Sequence, residues 1–258
     1  MEFGVWSENY FSDSFIIFPA YGLTDFPTYR LFLNYQLHNM SLYALNQNLW
    51  FPPVEEALED GLLAMGGDVG VDRLLLAYRQ GIFPWYDGDT PLWWSPDPRF
   101  VLFPENLKVS KSMEVLIRKK TFRFSVNEAF GDVIRSCKEL QRKGQDGTWI
   151  TDELEASVNR LHQLGYAHSA EAWLGKELVG GLYGIRMGKM FFGESMFSRE
   201  SNASKFAFIK FVQQLRSEGV YLIDCQVYTE HLESLGAEMI PRKEFIVALK
   251  TYGLPATR

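Results

Sequence analysis

The sequence has little cysteine: Cys137 and Cys225 are the whole supply in 258 residues. Neither stands in a CxxC or Cys/His spacing, which excludes a disulfide framework and a structural zinc site and fits a reducing compartment. Histidine is scarce as well, and His38, His162, His168 and His231 are scattered without metal-ligand spacing. No apolar run approaches the roughly 20 residues that span a bilayer. The N-terminus, MEFGVWSENYFSDSFIIFPAYG, lacks the basic start and small-residue cleavage site of a secretory signal. Internal repeats and low-complexity tracts are also missing. A soluble, cytoplasmic chain is expected.

What is present is apolar and aromatic material: 47% hydrophobic residues and 15% aromatic, enough for a sizeable core. The rings are either core filler or a face that stacks on rings or bases. Net charge is −6, which argues mildly against nucleic acid, but its distribution is uneven. Lys108, Lys111, Arg118, Lys119, Lys120 and Arg123 face a single acid, Glu114, within one stretch. Glu55, Glu56, Glu59, Asp60, Asp68 and Asp72 form the opposite run. Such runs are commonly solvated faces, yet the asymmetry leaves room for a polyanion site.

Three regions follow from texture. Residues 1–39 carry turn residues and aromatics without periodicity and read as a loosely ordered N-terminal extension, with Met40 an alternative start. Residues 40–104 are rich in Trp, Pro and Gly and read as a small domain of ordered loops, with one short helix capped by Asp72 and ended at Gly81. Residues 105–258 alternate strands and helices. Strands are expected at 122–126, 167–174 and 221–227, with a hairpin around Gly188. Helices are expected from the capping-box-like pair Asp152 and Glu155 to Gly165, over 202–218, and near 241–250. This order predicts an α+β fold whose C-terminal domain is of the acyltransferase kind, with a splayed sheet that holds an acyl donor.

Few side chains are placed for chemistry. Cys225 lies in an apolar strand beside Asp224, whose charge raises a thiol pKa, so it reads as a core cysteine. Ser195 sits in GESMF, but an esterase elbow needs glycine on both sides and Phe197 breaks the pattern. Asp224 and Gln226 share one face of the strand LIDCQV, opposite Ile223, Cys225 and Val227. A buried carboxylate needs partners or a function. Asp224 either caps a neighbouring element or, beside an amide, holds and deprotonates an amine. Glu194 follows the apolar strand Met190-Phe191-Phe192. It either pairs with Arg199 or Lys205 or receives the ammonium of an amino acid whose side chain fills an apolar slot.

Long stretches carry a resemblance: GLLAMGGDVGVDRLLLAYRQGIFPWY, LWWSPDPRFVLFPENLKVSKSM, DGTWIT, GYAHSAEAW, ELVGGLYGIRMGKMFFGESMFSRESNASK and LIDCQVYTEHLESLGAEMIPR. Together, over most of residues 50–248, they resemble the bacterial leucyl/phenylalanyl-tRNA–protein transferases. GIFPW with WWSPDPR, and GESMFSR with DCQ, are combinations far more specific than any one short motif. The resemblance implies transfer of Leu or Phe, and less well Met, from aminoacyl-tRNA to proteins beginning with Arg or Lys, marking them for degradation. It implies a small N-terminal domain and a C-terminal acetyltransferase-like (GNAT-like) domain with a mixed, largely antiparallel sheet, working without coenzyme A or another cofactor, and a monomer is expected.

By the same resemblance Asp224 is the catalytic acid and Gln226 its partner, and Glu194 lies near the donor's amino group. Leu182, Phe191, Met196, Phe208, Phe211 and Leu215 fall where the family builds its apolar aminoacyl pocket. Tyr78, Trp85 and Trp149 fall where aromatic residues flank the 3′ adenosine or the donor, and the basic run 108–123 where the acceptor arm of tRNA is held. Phe208 stands where a smaller aliphatic is expected, which narrows the slot. Tyr228 replaces the usual polar residue after DCQV, and residues 1–39 have no counterpart. Two other readings stay open: an acyl-CoA N-acetyltransferase, against which SRESNASK offers no glycine-rich pyrophosphate loop, and a non-catalytic module that binds tRNA or basic N-termini.

Overall fold

The structure is a computed structural model, and it describes residues 42–86, 88–139 and 150–253. The extension 1–39 and Trp149 therefore lie outside the described residues. In chain order the elements are β1 (Tyr43–Leu45), β2 (Leu62–Gly66), α1 (Val71–Arg79), β3 (Phe83–Pro84), β4 (Leu92–Trp94) and β5 (Arg99–Leu102). Then come α2 (Lys111–Arg118), β6 (Arg123–Val126), α3 (Phe130–Lys138), α4 (Asp152–Gln163), β7 (Ala167–Leu174), β8 (Glu177–Met187) and β9 (Met190–Ser198). The chain closes with α5 (Ala203–Ser217), β10 (Leu222–Gln226), α6 (Glu230–Ser234), β11 (Glu238–Ile240) and α7 (Arg242–Tyr252).

Two sheets form. The N-terminal segment is not loops alone: β1-β2-β4-β3 make a small sheet whose short strands fit between the prolines. Its indoles pack inward, with Trp93 donating to Gly66 O at 2.9 Å and Trp94 to Trp85 O at 2.6 Å. The larger sheet runs β11-β5-β10-β9-β8-β7-β6. It takes β5 from the N-terminal side of residue 104, so the two sheets part between Trp94 and Arg99. Every neighbour pair in it is antiparallel except β9–β10. That one parallel pair matters, because its partners run side by side and then separate.

Helix starts differ in detail from the sequence reading. Gly70, not Asp72, is the N-cap of α1, and Asp72 sits in the first turn, where its charge favours the helix dipole. Thr151 caps α4 by accepting from Leu154 N at 3.2 Å, one residue before Asp152. The α4 face predicted from Leu154, Val158 and Leu161 is buried, while Leu164 beyond its end is exposed. Two apolar layers sandwich the large sheet. One joins the small sheet, α1, α3, α4 and α7 and includes Tyr78, Phe83, Phe192 and Phe245. The other lies under α5 and includes Phe191, Phe208, Phe211 and Ile223.

Candidate active site

Chemistry-bearing side chains collect where β9 and β10 cease to pair. Their parallel register is Leu222–Met190, Ile223–Phe191 and Asp224–Phe192, and it stops there although β9 continues to Ser198. A bulge on each strand marks the spot. Across β8–β9, Tyr183 opposes Ser195 and Gly184 opposes Gly193, which leaves Glu194 as the extra residue. Gly184 makes this close approach possible, since a Cβ there would come within 2.1 Å of Phe192 O. Across β10–β5, Asp224 opposes Val101 and Gln226 opposes Phe100, which leaves Cys225 extra. Gln226 adopts φ +66°, a left-handed conformation that costs a non-glycine residue energy and that its surroundings must hold.

The bulges bring the polar groups together. Gln226 Nε2 donates to Glu194 Oε1 at 2.9 Å, across the gap between the strands. Gln226 N donates to Asp224 Oδ1 at 2.9 Å. Arg99 Nε donates to Asp224 Oδ1 at 2.8 Å and its Nη2 to Oδ2 at 2.6 Å, a two-point clamp. All four side chains are buried. Tyr78 hydrogen-bonds Glu194 from the other side and packs on Phe192 with ring centroids 5.3 Å apart. Gln226 Oε1 and Arg99 Nη1 are buried polar atoms without a protein partner. An acceptor and a donor of that kind suit a polar ligand.

The surroundings act strongly on the Glu194 carboxyl. Burial pushes the Glu194 carboxyl up to about 8; the Asp224 charge adds to the rise, while Tyr78, Gln226 and Arg99 oppose it. Burial, then the Glu194 charge, pushes the Tyr78 phenol well up. Nearby, the Arg99 guanidinium bonds both Asp224 oxygens. Glu194 is thus an acid poised near neutrality, and an arriving ammonium would draw it into its ionised form.

The other predicted residues divide between the two faces of the sheet. Glu194 bonds Gln226 and Tyr78, while Arg199, one of the two cations weighed as its ion partner, donates to Ser136 and Leu178. Leu182, Phe191, Met196, Phe208, Phe211 and Leu215 come together in one buried cluster, with Phe191 and Phe211 edge to face at 5.0 Å. That cluster lies under α5, whereas Asp224 is in register with Phe192 on the opposite face. The carboxylate-and-amide face therefore does not lie directly on that cluster. Strand alternation puts the two on opposite sides of the sheet, near the point where β9 and β10 cease to pair. Trp85 is half-buried on Trp94, at 5.5 Å.

Of the basic run, Lys108, Lys111, Arg118, Lys119 and Lys120 are exposed on and around α2. Arg123 is exposed but paired with Glu128 at 2.6 Å and lies over the Trp173 ring. Burial and the Asp224 charge push the Cys225 thiol well up, as a core cysteine requires. Gly193-Glu194-Ser195 runs inside β9, not at the strand–helix turn an esterase elbow needs.

Arg99 escapes the sequence reading. Its signal was available: a lone arginine heading the apolar run Phe100-Val101-Leu102-Phe103 must be exposed or paired in the core. Among the described residues no three His, Cys, Asp or Glu side chains gather as metal ligands, and no helix is long and apolar enough to cross a membrane.

A mixed α+β protein whose sheet opens between two parallel strands beside buried acid and amide groups is of the acyltransferase class. The family model described as leucyl/phenylalanyl-tRNA protein transferase matches residues 101–250, and that family's N-terminal domain model matches residues 67–97. The chain belongs to the leucyl/phenylalanyl-tRNA protein transferase family and is an aminoacyltransferase. It is 58% identical over 208 residues to the leucyl/phenylalanyl-tRNA–protein transferase of Christiangramia forsetii, covering 80% of this chain and 98% of that one. It is 54% identical to that of Syntrophobacter fumaroxidans, covering 81% and 90%. Among solved structures it is similar to L-PGS from Bacillus licheniformis (14% identity, TM-score 0.37, covering 58% of this chain and half of that one). It is also similar to a GCN5-related N-acetyltransferase from Kribbella flavida (11% identity, TM-score 0.34, covering 65% and 59%).

Proposed function

We propose that this chain moves Leu or Phe, and less well Met, from aminoacyl-tRNA onto the α-amino group of proteins that begin with Arg or Lys, forming a peptide bond that marks them for degradation in the cytoplasm. The observation that carries this reading is the Glu194–Gln226 bond spanning the strand gap, with an unpartnered Gln226 oxygen beside it. The donor ester is already activated, so orientation and proton handling are what remain. Holding ester and amine at near-attack distance supplies on the order of 7–11 kcal/mol in favourable cases.

Glu194 receives the ammonium of the aminoacyl group, whose side chain passes through the gap toward Phe191, Phe208 and Phe211. The acceptor amine donates to Gln226 Oε1. Asp224, clamped by Arg99 and bonded to Gln226 N, acts with Gln226 in drawing off that amine's proton. The amine nitrogen attacks the ester carbonyl, the bond to the ribose 3′ oxygen breaks, and the proton lost by the amine passes to that oxygen. Lys108, Lys111, Lys119 and Lys120 hold the acceptor arm by its phosphates, so binding is salt-dependent and indifferent to stem sequence.

An acyl-CoA donor is disfavoured by the start of α5. Its first amides are already taken, Ala203 N by Glu200 O at 3.0 Å and Ser204 N by Ser198 Oγ at 3.2 Å. The test is direct. Radiolabelled Phe-tRNA is mixed with otherwise identical proteins beginning with Arg, Lys or Glu, and a parallel reaction receives labelled acetyl-CoA. Label from tRNA should enter the Arg and Lys proteins only. Label from acetyl-CoA, or none from tRNA, would refute the reading.

A further inference from the structure

The Asp224 carboxylate is held by more than its own strand. Arg99, at the head of β5, is buried with its guanidinium between two rings: Phe83 of β3 at 4.7 Å and Phe245 of α7 at 4.6 Å. Helix α7 is itself tied to the loop before Arg99. Arg242 N donates to Asp97 Oδ1 at 2.9 Å and Arg242 Nη1 to Ser95 O at 2.5 Å. The guanidinium is therefore packed on two rings as well as bound to the carboxylate. Its Nε and Nη2 grip both Asp224 oxygens, and Asp224 Oδ1 in turn accepts from Gln226 N. That last bond supports the φ of +66° at Gln226.

We propose that Arg99 is a positioning residue for the transfer step: wedged between Phe83 and Phe245, it fixes Asp224 so that Gln226 keeps its left-handed turn and its amide stays aimed across the strand gap at Glu194. The inference rests on the aminoacyl-transfer reading above. A role in stability alone accounts poorly for the arrangement. Buried ion pairs are often replaceable by apolar groups without loss, and this one leaves Arg99 Nη1 buried without a partner. Geometry does account for it. A guanidinium presents two parallel donors to a carboxylate and stacks flat between rings, and an ammonium does neither.

The test is a cycle of Arg99→Lys, Gln226→Ala and the double variant in the Phe-tRNA transfer assay. Folding is checked by near-ultraviolet circular dichroism, and wild-type transfer must be present first; its absence would refute the function, not the positioning role. Arg99→Lys keeps the charge and should lower kcat about 100-fold, as a misplacement of about 1 Å does, with KM for Phe-tRNA within about threefold. Gln226→Ala should lower kcat by about 10³-fold, and the double variant should be no worse than Gln226→Ala within about threefold, because Arg99 acts through that amide. Should Arg99→Lys not fold, Phe245→Leu loosens one side of the wedge and enters the same cycle, with an expected loss of about tenfold. A folded Arg99→Lys (or Phe245→Leu) with wild-type kcat, or losses that multiply in the double variant, would overturn the proposal.

Discussion

The two faces of the large sheet solve different problems with neighbouring residues. On the face toward the small sheet, Tyr78, Arg99, Glu194, Asp224 and Gln226 form a buried polar network with two polar atoms left open. On the face under α5, Leu182, Phe191, Met196, Phe208, Phe211 and Leu215 are wholly apolar and close-packed. Phe191 and Phe192 are adjacent in sequence yet belong to different faces. The buried polar network and the apolar cluster are thereby separated by one strand's thickness. Between them, the pairing of β9 with β10 stops at Phe192 and Asp224.

The largest expected effect breaks the polar face alone. Asp224→Asn should lower kcat about 10³-fold with tRNA binding nearly intact, read by transfer kinetics and a filter-binding titration. Asp224→Ala should in addition cost about 3–5 kcal/mol of stability by leaving Arg99 buried and uncompensated. Equal loss of tRNA binding in Asp224→Asn would place the defect elsewhere than the chemistry.

Glu194 sharpens the contrast through pH. Its carboxyl titrates near 8 in the folded chain against an ordinary 4.5. Between those values folding takes up a proton, so the cost of burying the carboxylate is absent below the lower value and complete above the upper one. Glu194→Gln should therefore raise stability by roughly 5 kcal/mol at about pH 8.5 and leave it unchanged at about pH 4, while transfer falls. Denaturant melts at the two pH values decide it, and a stability gain independent of pH would contradict the assignment.

Smaller effects probe the surfaces around both faces. Lys119→Glu with Lys120→Glu should weaken Phe-tRNA binding roughly tenfold and flatten its salt dependence by about one unit of slope for each phosphate no longer neutralised. Arg123→Ala should do less, because Glu128 already neutralises it. On the apolar face, Phe208→Leu should widen the slot and shift the Phe-to-Leu preference several-fold, within the 10–200-fold that about one methylene can yield. An unchanged ratio would remove Phe208 from the slot.

Much of the fold is legible in local signals. The strand at 167–174, the hairpin about Gly188 and the helix at 203–217 follow from alternation, a turn glycine and a 3.6-residue apolar stripe. The family resemblance locates Glu194, Asp224 and Gln226 by motif. Less legible are the bulges at Glu194 and Cys225, since each arises from the pairing of two distant strands. The small sheet reads as loops in the sequence because its strands are two to five residues long and broken by prolines. Thr151 is masked as a cap because the acidic run after it gives the stronger local pattern.

By itself the sequence determined the family, the order of elements and which residues carry charge or apolar bulk, because those properties reside in the residues and their spacing. Only the tertiary structure decided that Asp224 faces Arg99, that Gln226 reaches Glu194 across a strand gap, and that the apolar cluster under α5 lies on the far side of the sheet. Each of those depends on which strands lie side by side and where their pairing stops. A separation of 125 positions between Arg99 and Asp224 could not announce a contact that exists only once β5 and β10 pair.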